Sequence, residues 1–331
     1  MKAVISDSTG GPETLRYGQL PMPEAGDGQL LIRVHACGLN YPDLLMVEGK
    51  YQVDPPRPFV PGIEVAGEVV KIGKGANGFA AGDRVSAMMD FGGMAEYATA
   101  RAEKCVALPP GIPFDDAAAF VTTHGTSYHA LKQRARLAEG DTLLVLGAAG
   151  GVGLAAVELG KLMGARVIAA ASSQQKVDLA LQRGADIGLA YPAGMSVEDI
   201  KTLSQRFKKV AGTSGIDVVY DPVGGLYAEA AFRAIAWRGR FLVVGFPAGI
   251  PSIPLNLPLL KGAEIVGVFY GSFVEREPQR YMENLRELMA YYLAGRFRPC
   301  ISARYSFADA SKAFLLLSRR EATGKIVLTP D

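Results

Sequence analysis

The run Leu143-Leu144-Val145-Leu146-Gly147-Ala148-Ala149-Gly150-Gly151-Val152-Gly153 ends an apolar segment in a cluster of glycines and opens the helix-forming stretch Leu154 to Met163. A strand, a tight glycine turn and a helix start bring free backbone N–H groups and the positive end of the helix to one point. A pyrophosphate can lie there because no side chain intervenes. In strict G-x-G-x-x-G spacing the glycine positions are Ala148, Gly150 and Gly153, so alanine replaces the first. Alone, such a turn is as readily a plain turn as a ligand site. The residues that follow decide for the ligand. Apolar strands alternate with helical segments at βαβ spacing: Leu143 to Leu146, Val167 to Ala170, Ile187 to Ala190, Ile216 to Asp221, Arg240 to Val244 and Glu264 to Phe269. This is the pattern of an α/β protein with a parallel doubly wound sheet, and these six strands complete a dinucleotide fold. Gly150, Gly151 and Val152 are therefore expected against the cofactor.

The end of the second strand selects between the two nicotinamide dinucleotides, because an acid there grips a ribose 2′-hydroxyl and repels a 2′-phosphate. Here it reads Ala169-Ala170-Ala171-Ser172-Ser173-Gln174-Gln175-Lys176, with no acid before Asp178. Hydroxyls and an ammonium are what a phosphate requires. A lysine early in a helix is ordinarily a solvated surface residue, but the missing acid stands independently of it. The expected cofactor is NADPH.

Outward from this core, Met1 to about Pro110 is β-rich, with runs such as Gln29 to Val34 and Glu64 to Val70 broken by Gly/Pro turns. Beyond the sixth strand the pattern gives a helix near Gln279 to Leu293, a strand near Ile301 to Tyr305, a helix near Phe307 to Ser318 and a last strand at Lys325 to Leu328. This tail is expected to return to the first domain. A chain of 331 residues exceeds what one core usually organises, which agrees with two domains. With Lys+Arg and Asp+Glu nearly balanced at a net +2, nucleic acid gains no support as a partner. Cys37, Cys105 and Cys300 are odd in number and widely spaced, which suits a reducing compartment rather than a disulfide framework. The opening Met1 to Asp7 lacks an apolar signal core, and the apolar stretches are interrupted well before membrane-spanning length, so a cytoplasmic location is expected, with no membrane partner.

The order of several strings carries a family resemblance. Val34-His35-Ala36-Cys37-Gly38-Leu39-Asn40-Tyr41-Pro42-Asp43 precedes Pro61-Gly62-Ile63-Glu64-Val65-Ala66-Gly67, then Gly82-Asp83-Arg84-Val85, the glycine turn, Gly164-Ala165-Arg166-Val167 and the closing Ala322-Thr323-Gly324-Lys325-Ile326-Val327-Leu328. Over essentially the whole chain this resembles the medium-chain dehydrogenase/reductases. The resemblance implies a mostly β GroES-like catalytic domain over 1–118 and 270–331 and a Rossmann NADP(H)-binding domain over 119–269. Zinc enzymes of that superfamily carry a cysteine where Asn40 stands and a histidine where Ile63 stands, and their structural zinc lobe needs four cysteines where Met89 to Cys105 offers only Cys105. No metal is therefore expected. Asn40-Tyr41-Pro42-Asp43 resembles the pattern of the zinc-free quinone oxidoreductases, which implies hydride transfer from NADPH to a flat, conjugated acceptor.

The same resemblance implies site residues. Lys176, Tyr191 and Ser172 would surround the 2′-phosphate, with Arg320 from the C-terminal segment. Thr126 would lie near the nicotinamide, and Gly245, Phe246, Phe269 and Tyr270 at strand ends would contact cofactor, although core packing is the ordinary fate of any one of these aromatics. Asn40 could donate to a quinone oxygen, with Tyr41 and Tyr51 as an aromatic wall of the substrate pocket. For Asn40 the plain alternative is a turn-stabilising side chain, for Asp43 a helix-cap or loop hydrogen bond, and for Cys37 a small buried filler. His124 and His129 are expected to pack on a helix or face solvent, without a catalytic role. Quinone reduction needs little acid–base apparatus, since the product anion is delocalised and takes protons from water. A second enzymatic possibility is reduction of a C=C bond conjugated to carbonyl, in an enal, enone or enoyl thioester, where Tyr51 becomes the proton donor. A third, non-enzymatic, is an NADPH-binding regulatory or RNA-binding protein. A homodimer pairing the sixth-strand edge, Val266 to Gly271, is expected by analogy.

Overall fold

Period-2 runs in the first hundred residues become strands that bury one face. The computed structural model describes all residues, Met1–Asp331, in two compact units: Met1–Thr122 with Val274–Asp331, and Thr123–Phe273. The first unit opens with β1 (Lys2–Ser6) and β2 (Leu15–Gln19), then β3 (Gln29–Leu39), the short helix α1 (Tyr41–Val47), β4 (Glu64–Ile72), β5 (Arg84–Met88), β6 (Tyr97–Arg101), β7 (Cys105–Ala107) and α2 (Phe114–Tyr128). The chain leaves this unit within α2, which continues into a π-helical turn over His129–Arg134.

The second unit alternates β8 (Thr142–Leu146), α3 (Gly151–Leu162), β9 (Arg166–Ala171), α4 (Gln174–Gln182), β10 (Ile187–Ala190), α5 (Asp199–Ala211), β11 (Ile216–Asp221), α6 (Gly225–Ala234), β12 (Ile235–Val243), α7 (Asn256–Lys261) and β13 (Glu264–Gly267). The chain returns to the first unit within α8 (Tyr270–Arg276) and finishes with α9 (Pro278–Leu293), β14 (Ile301–Ser306), α10 (Ala310–Ser318) and β15 (Lys325–Thr329).

In the second unit all six strands run parallel in the order β10-β9-β8-β11-β12-β13. Strands covered on both faces read as continuous apolar runs, and β8 is buried along its whole length. Phe207 from α5 and Phe232 from α6 are fully buried in this core, where truncation of either to alanine typically costs about 3–5 kcal/mol. The sheet reverses direction of growth between β8 and β11, and ligands of such sheets bind outside the carboxyl ends of the strands at that switch point. Two strands depart from expectation. β12 begins earlier, at Ile235, and β13 stops at Gly267, which leaves Phe269 outside the sheet and Tyr270 at the start of α8.

In the first unit β14, β15, β3, β4, β5 and β7 are neighbours in that order, and β6 pairs with β3. Phe307, Phe314, Ile326 and Leu328 join Ile5, Leu30, Ile32, Val65 and Val85 in one core, so the C-terminal segment completes the domain that the N-terminal segment begins. Gly38 allows α2 to close on β3: a Cβ there would stand 1.9 Å from the Ala118 carbonyl oxygen. No helix is long and apolar enough to cross a membrane.

Candidate active site

In the nucleotide-binding unit the sequence-predicted residues other than Thr126 follow the carboxyl ends of the parallel strands. Gly147 ends β8 at φ 58, in the left-handed region. A Cβ on Gly153 would lie 2.2 Å from the Gly147 carbonyl oxygen, so helix–strand packing dictates this glycine. Gly150 is different: its φ is −77, and a Cβ there would meet protein only at 3.5 Å, an ordinary contact. Gly245 likewise would meet its nearest protein atom at 3.5 Å. Neither conformation nor packing requires glycine at these two positions. What the missing side chain of Gly150 leaves open is the approach to the first turn of α3, where as N-cap this glycine offers no side chain to the free N–H groups. The residues fit a pyrophosphate.

Ser172 follows β9, half-exposed, and Ser173 caps α4 by accepting the Lys176 N–H. Asp178, the nearest acid, accepts a hydrogen bond from Gln174. The strand end thus presents hydroxyls and a lysine, and its sequence holds no acid before Asp178. Tyr191 is buried, its ring 4.7 Å from that of Tyr227 and its hydroxyl oxygen accepting the Gly147 N–H, so it braces the glycine turn. Ser127 donates to the Val152 carbonyl at 2.8 Å and shares a hydrogen bond with the Tyr220 hydroxyl, which fixes the neighbouring Thr126 relative to the start of α3. Phe246 and Phe269 are exposed, the latter at 57%, and are not packed in the core. Tyr270 departs from expectation: it is buried beside Phe273 and His129, with its hydroxyl against Gly125, because α8 turns it into the core. His124 and His129 are also buried, the first 3.0 Å from Glu158 and the second stacked on Phe273.

Asp221 escaped the sequence reading. Its carboxylate accepts the Val223 and Gly224 N–H groups and so shapes the loop whose Val223 methyl packs on Gly147; burial raises its pKa to about 6. Its signal was present as an acid at a strand end before Pro222-Val223-Gly224-Gly225.

In the first unit a buried polar cluster surrounds Asn40. The Glu64 carboxylate, fully buried, accepts the Thr122 N–H at 2.7 Å, the Asn40 side-chain amide at 3.1 Å and the Lys325 ammonium at 2.9 Å. Asn40 also donates to the Gly38 carbonyl, and its amide oxygen accepts from Lys325. Both amide hydrogens and the amide oxygen are therefore engaged within the protein. Asn40 does not stand as a free donor for a quinone oxygen, which corrects that expectation. Asp43 caps the start of α1 by accepting the Asn40 N–H and reaches across to the Gly62 N–H. Burial pushes its pKa up to about 7, against the lowering effect of those N–H groups and Lys325. Cys37 is fully buried, and burial raises its thiol well above the ordinary range, so it is inert. Tyr41 and Tyr51 pack partly buried against the core, and burial raises both phenols. The charge of Arg320, which sits in a left-handed turn after α10, acts on Tyr41. No group of His, Cys, Asp or Glu side chains is placed to hold a metal ion.

Residues 26–110 match the alcohol dehydrogenase GroES-like domain and residues 151–289 the zinc-binding dehydrogenase family. Quinone oxidoreductase-like protein 2 of Rattus norvegicus is 35% identical over 92% of this chain and 85% of its own length. Human quinone oxidoreductase is 31% identical over 99% and 97%. The chain belongs to the zinc-free quinone oxidoreductase family of the medium-chain dehydrogenase/reductases. Among solved structures, Escherichia coli quinone oxidoreductase complexed with NADPH superposes with a TM-score of 0.92 at 27% identity, covering 100% of both chains. The quinone oxidoreductase of Thermus thermophilus, also solved with NADPH, gives 0.84 at 33% identity, over 99% of this chain and 100% of that one. These relatives share the whole fold with this chain.

The raised pKa of Asp43 has a definite sign. Folding holds a proton on this carboxyl between its ordinary pKa near 3.8 and about 7, so its ionisation weakens the fold as pH rises through that window. Asp221 acts in the same direction up to about 6. The urea midpoint should fall from pH 5 to pH 8, by a loss on the order of a few kcal/mol at most. Asp43→Asn should flatten most of that slope; an unchanged slope in the variant would reject the assignment.

Proposed function

We propose that this member of the family is an NADPH-dependent oxidoreductase that passes hydride to quinones without a metal. The carboxyl edge of the parallel sheet carries the proposal: Gly150 kept bare at a helix N-terminus without any packing need, and Ser172 and Lys176 in a strand-end sequence that holds no acid before Asp178. The NADPH complexes of the Escherichia coli and Thermus thermophilus relatives, and the names of the relatives themselves, support the same reading.

When bound, NADPH supplies the hydride. The chain's part is placement. Gly150, Gly151 and Val152 hold the pyrophosphate, and Ser172 and Lys176 take the 2′-phosphate through charge-assisted hydrogen bonds. Thr126, held by its neighbour Ser127, lies toward the nicotinamide end, with Gly245, Phe246 and Phe269 along the carboxyl edge. Tyr41 and Tyr51 flank the acceptor. Asn40 and Ile63 stand where zinc enzymes carry ligands, and the Glu64 carboxylate is neutralised by Lys325, so the reading needs no Lewis acid. The quinone's product anion is delocalised and needs no dedicated proton donor.

One observation favours a second reading, reduction of a conjugated C=C bond: the Tyr51 phenol is partly buried with its pKa raised, so it holds its proton at neutral pH as a donor must. Free cysteines throughout support a cytoplasmic location. A homodimer is supported by the open edge of β13, which pairs only with β12. Ile265 is exposed on it, and α7 exposes Leu259 and Leu260 beside Trp237, itself 70% exposed and packed on Gly262. An unpaired strand edge among apolar side chains is a surface that a second copy covers.

Steady-state oxidation of NADPH and NADH should be measured with an ortho-quinone, a para-quinone, an enone and an enoyl thioester, with and without chelator. Quinone turnover preferring NADPH and unaffected by chelator is the expected result. Activity confined to the enone and thioester, abolished by Tyr51→Phe, would replace the main reading with the second. Light scattering at micromolar concentration should give twice the 35.1 kDa chain mass, and a strictly monomeric mass would reject the dimer.

A further inference from the structure

We propose that Thr122 is the residue that grips the acceptor's carbonyl oxygen as hydride arrives, an assignment that rests on the carbonyl-acceptor reading above. Thr122 lies in α2 and is 8% exposed, and its hydroxyl oxygen, sealed from water, has no hydrogen-bond partner. A threonine inside a helix ordinarily turns its hydroxyl to the carbonyl one turn earlier, and a buried hydroxyl left unpaired carries a desolvation penalty. Such a cost persists where function requires the group.

The polar groups around it narrow that function. The Thr122 N–H is held by Glu64, the second Glu64 oxygen holds Asn40 and Lys325, and the Asn40 amide is saturated. Asp43 is committed to the Asn40 and Gly62 N–H groups. Within this cluster the Thr122 hydroxyl is the one side-chain group with no partner at all. Glu64 and Asp43 have no exposed surface, whereas Thr122 and Asn40, at 8% and 7%, retain an edge toward the outside. A helical threonine divides between two χ1 rotamers, so its hydroxyl and methyl can exchange places without backbone movement, and binding of the acceptor would select the rotamer that offers the hydroxyl. Below about pH 7 Asp43 carries its proton, and Glu64 and Lys325 cancel, so no net negative charge opposes an incoming anion.

The ligand class follows from the chemistry. A neutral hydroxyl donor suits an oxygen that gains negative charge, the carbonyl oxygen of a quinone or enone. Hydride brings two electrons and forms a new bond to the acceptor, the charge collects on the carbonyl oxygen, and NADPH leaves as NADP⁺. Thr122 keeps its proton and donates only a hydrogen bond; water supplies the proton that completes the product.

The test compares the wild-type enzyme with Thr122→Val, which keeps the shape and removes the hydroxyl, and Thr122→Ser, which restores it. Each is assayed for kcat/KM with a para-quinone and an enone, for NADPH Kd by fluorescence titration, and for Tm. Thr122→Val should leave the NADPH Kd within about twofold and Tm equal or higher, yet lose on the order of tenfold to a hundredfold in acceptor kcat/KM, the worth of a hydrogen bond to a charged oxygen. Thr122→Ser should recover most of it. Wild-type turnover by Thr122→Val, or a loss matched by weaker NADPH binding and a lower Tm, would overturn the assignment and leave the functional reading standing. Failure of the wild-type enzyme to reduce any carbonyl acceptor would overturn both.

Discussion

The carboxylate of Glu64 is the point on which the first unit turns. It sits on β4 and binds Asn40 at the β3–α1 junction, Lys325 on the closing strand β15 and the backbone of α2 at Thr122. Four parts of the chain that are far apart in sequence are thereby set in register around one charge. A buried carboxylate is costly unless it is both paired and hydrogen-bonded, and here an ammonium and two N–H donors meet that requirement. Lys325 in turn satisfies Asn40, so each group's position depends on the others.

The glycines separate conformational need from ligand need. Gly147 is glycine because its φ is 58, and Gly38 and Gly153 because a Cβ would strike backbone at 1.9 and 2.2 Å. Gly150 and Gly245 answer to neither demand. A position kept bare for no internal reason is open to another molecule's surface, and both occur at the carboxyl edge of one sheet, Gly150 at its switch point. The loop shaped by Asp221 and the turn braced by Tyr191 hold that edge rigid, since each fixes backbone N–H groups near Gly147.

The nucleotide-binding unit was legible in the sequence because parallel strands buried on both faces leave unbroken apolar runs, and because glycine turns are local signals. Strands β8 to β11 lie where the pattern places them to within a residue or so. Local signals failed where tertiary partners decide. β13 ends at Gly267, and α8 carries Tyr270 into the core while Phe269 stays outside, a split that adjacent aromatics give no hint of. Asn40 reads as a free amide because its partners lie 24 residues away at Glu64 and 285 away at Lys325. The orphaned hydroxyl of Thr122 is visible only once every other group around it is paired.

The central claim, that the Glu64–Lys325 pair is one cooperative element and not two independent side chains, is tested most directly by a double-mutant cycle. Urea unfolding of Glu64→Gln, Lys325→Met and the double variant gives the coupling. Each single change leaves one buried charge uncompensated and should cost about 3–5 kcal/mol, while the double variant, with no uncompensated charge, should lose far less than the sum. Additive losses, with no coupling between the two sites, would contradict the account.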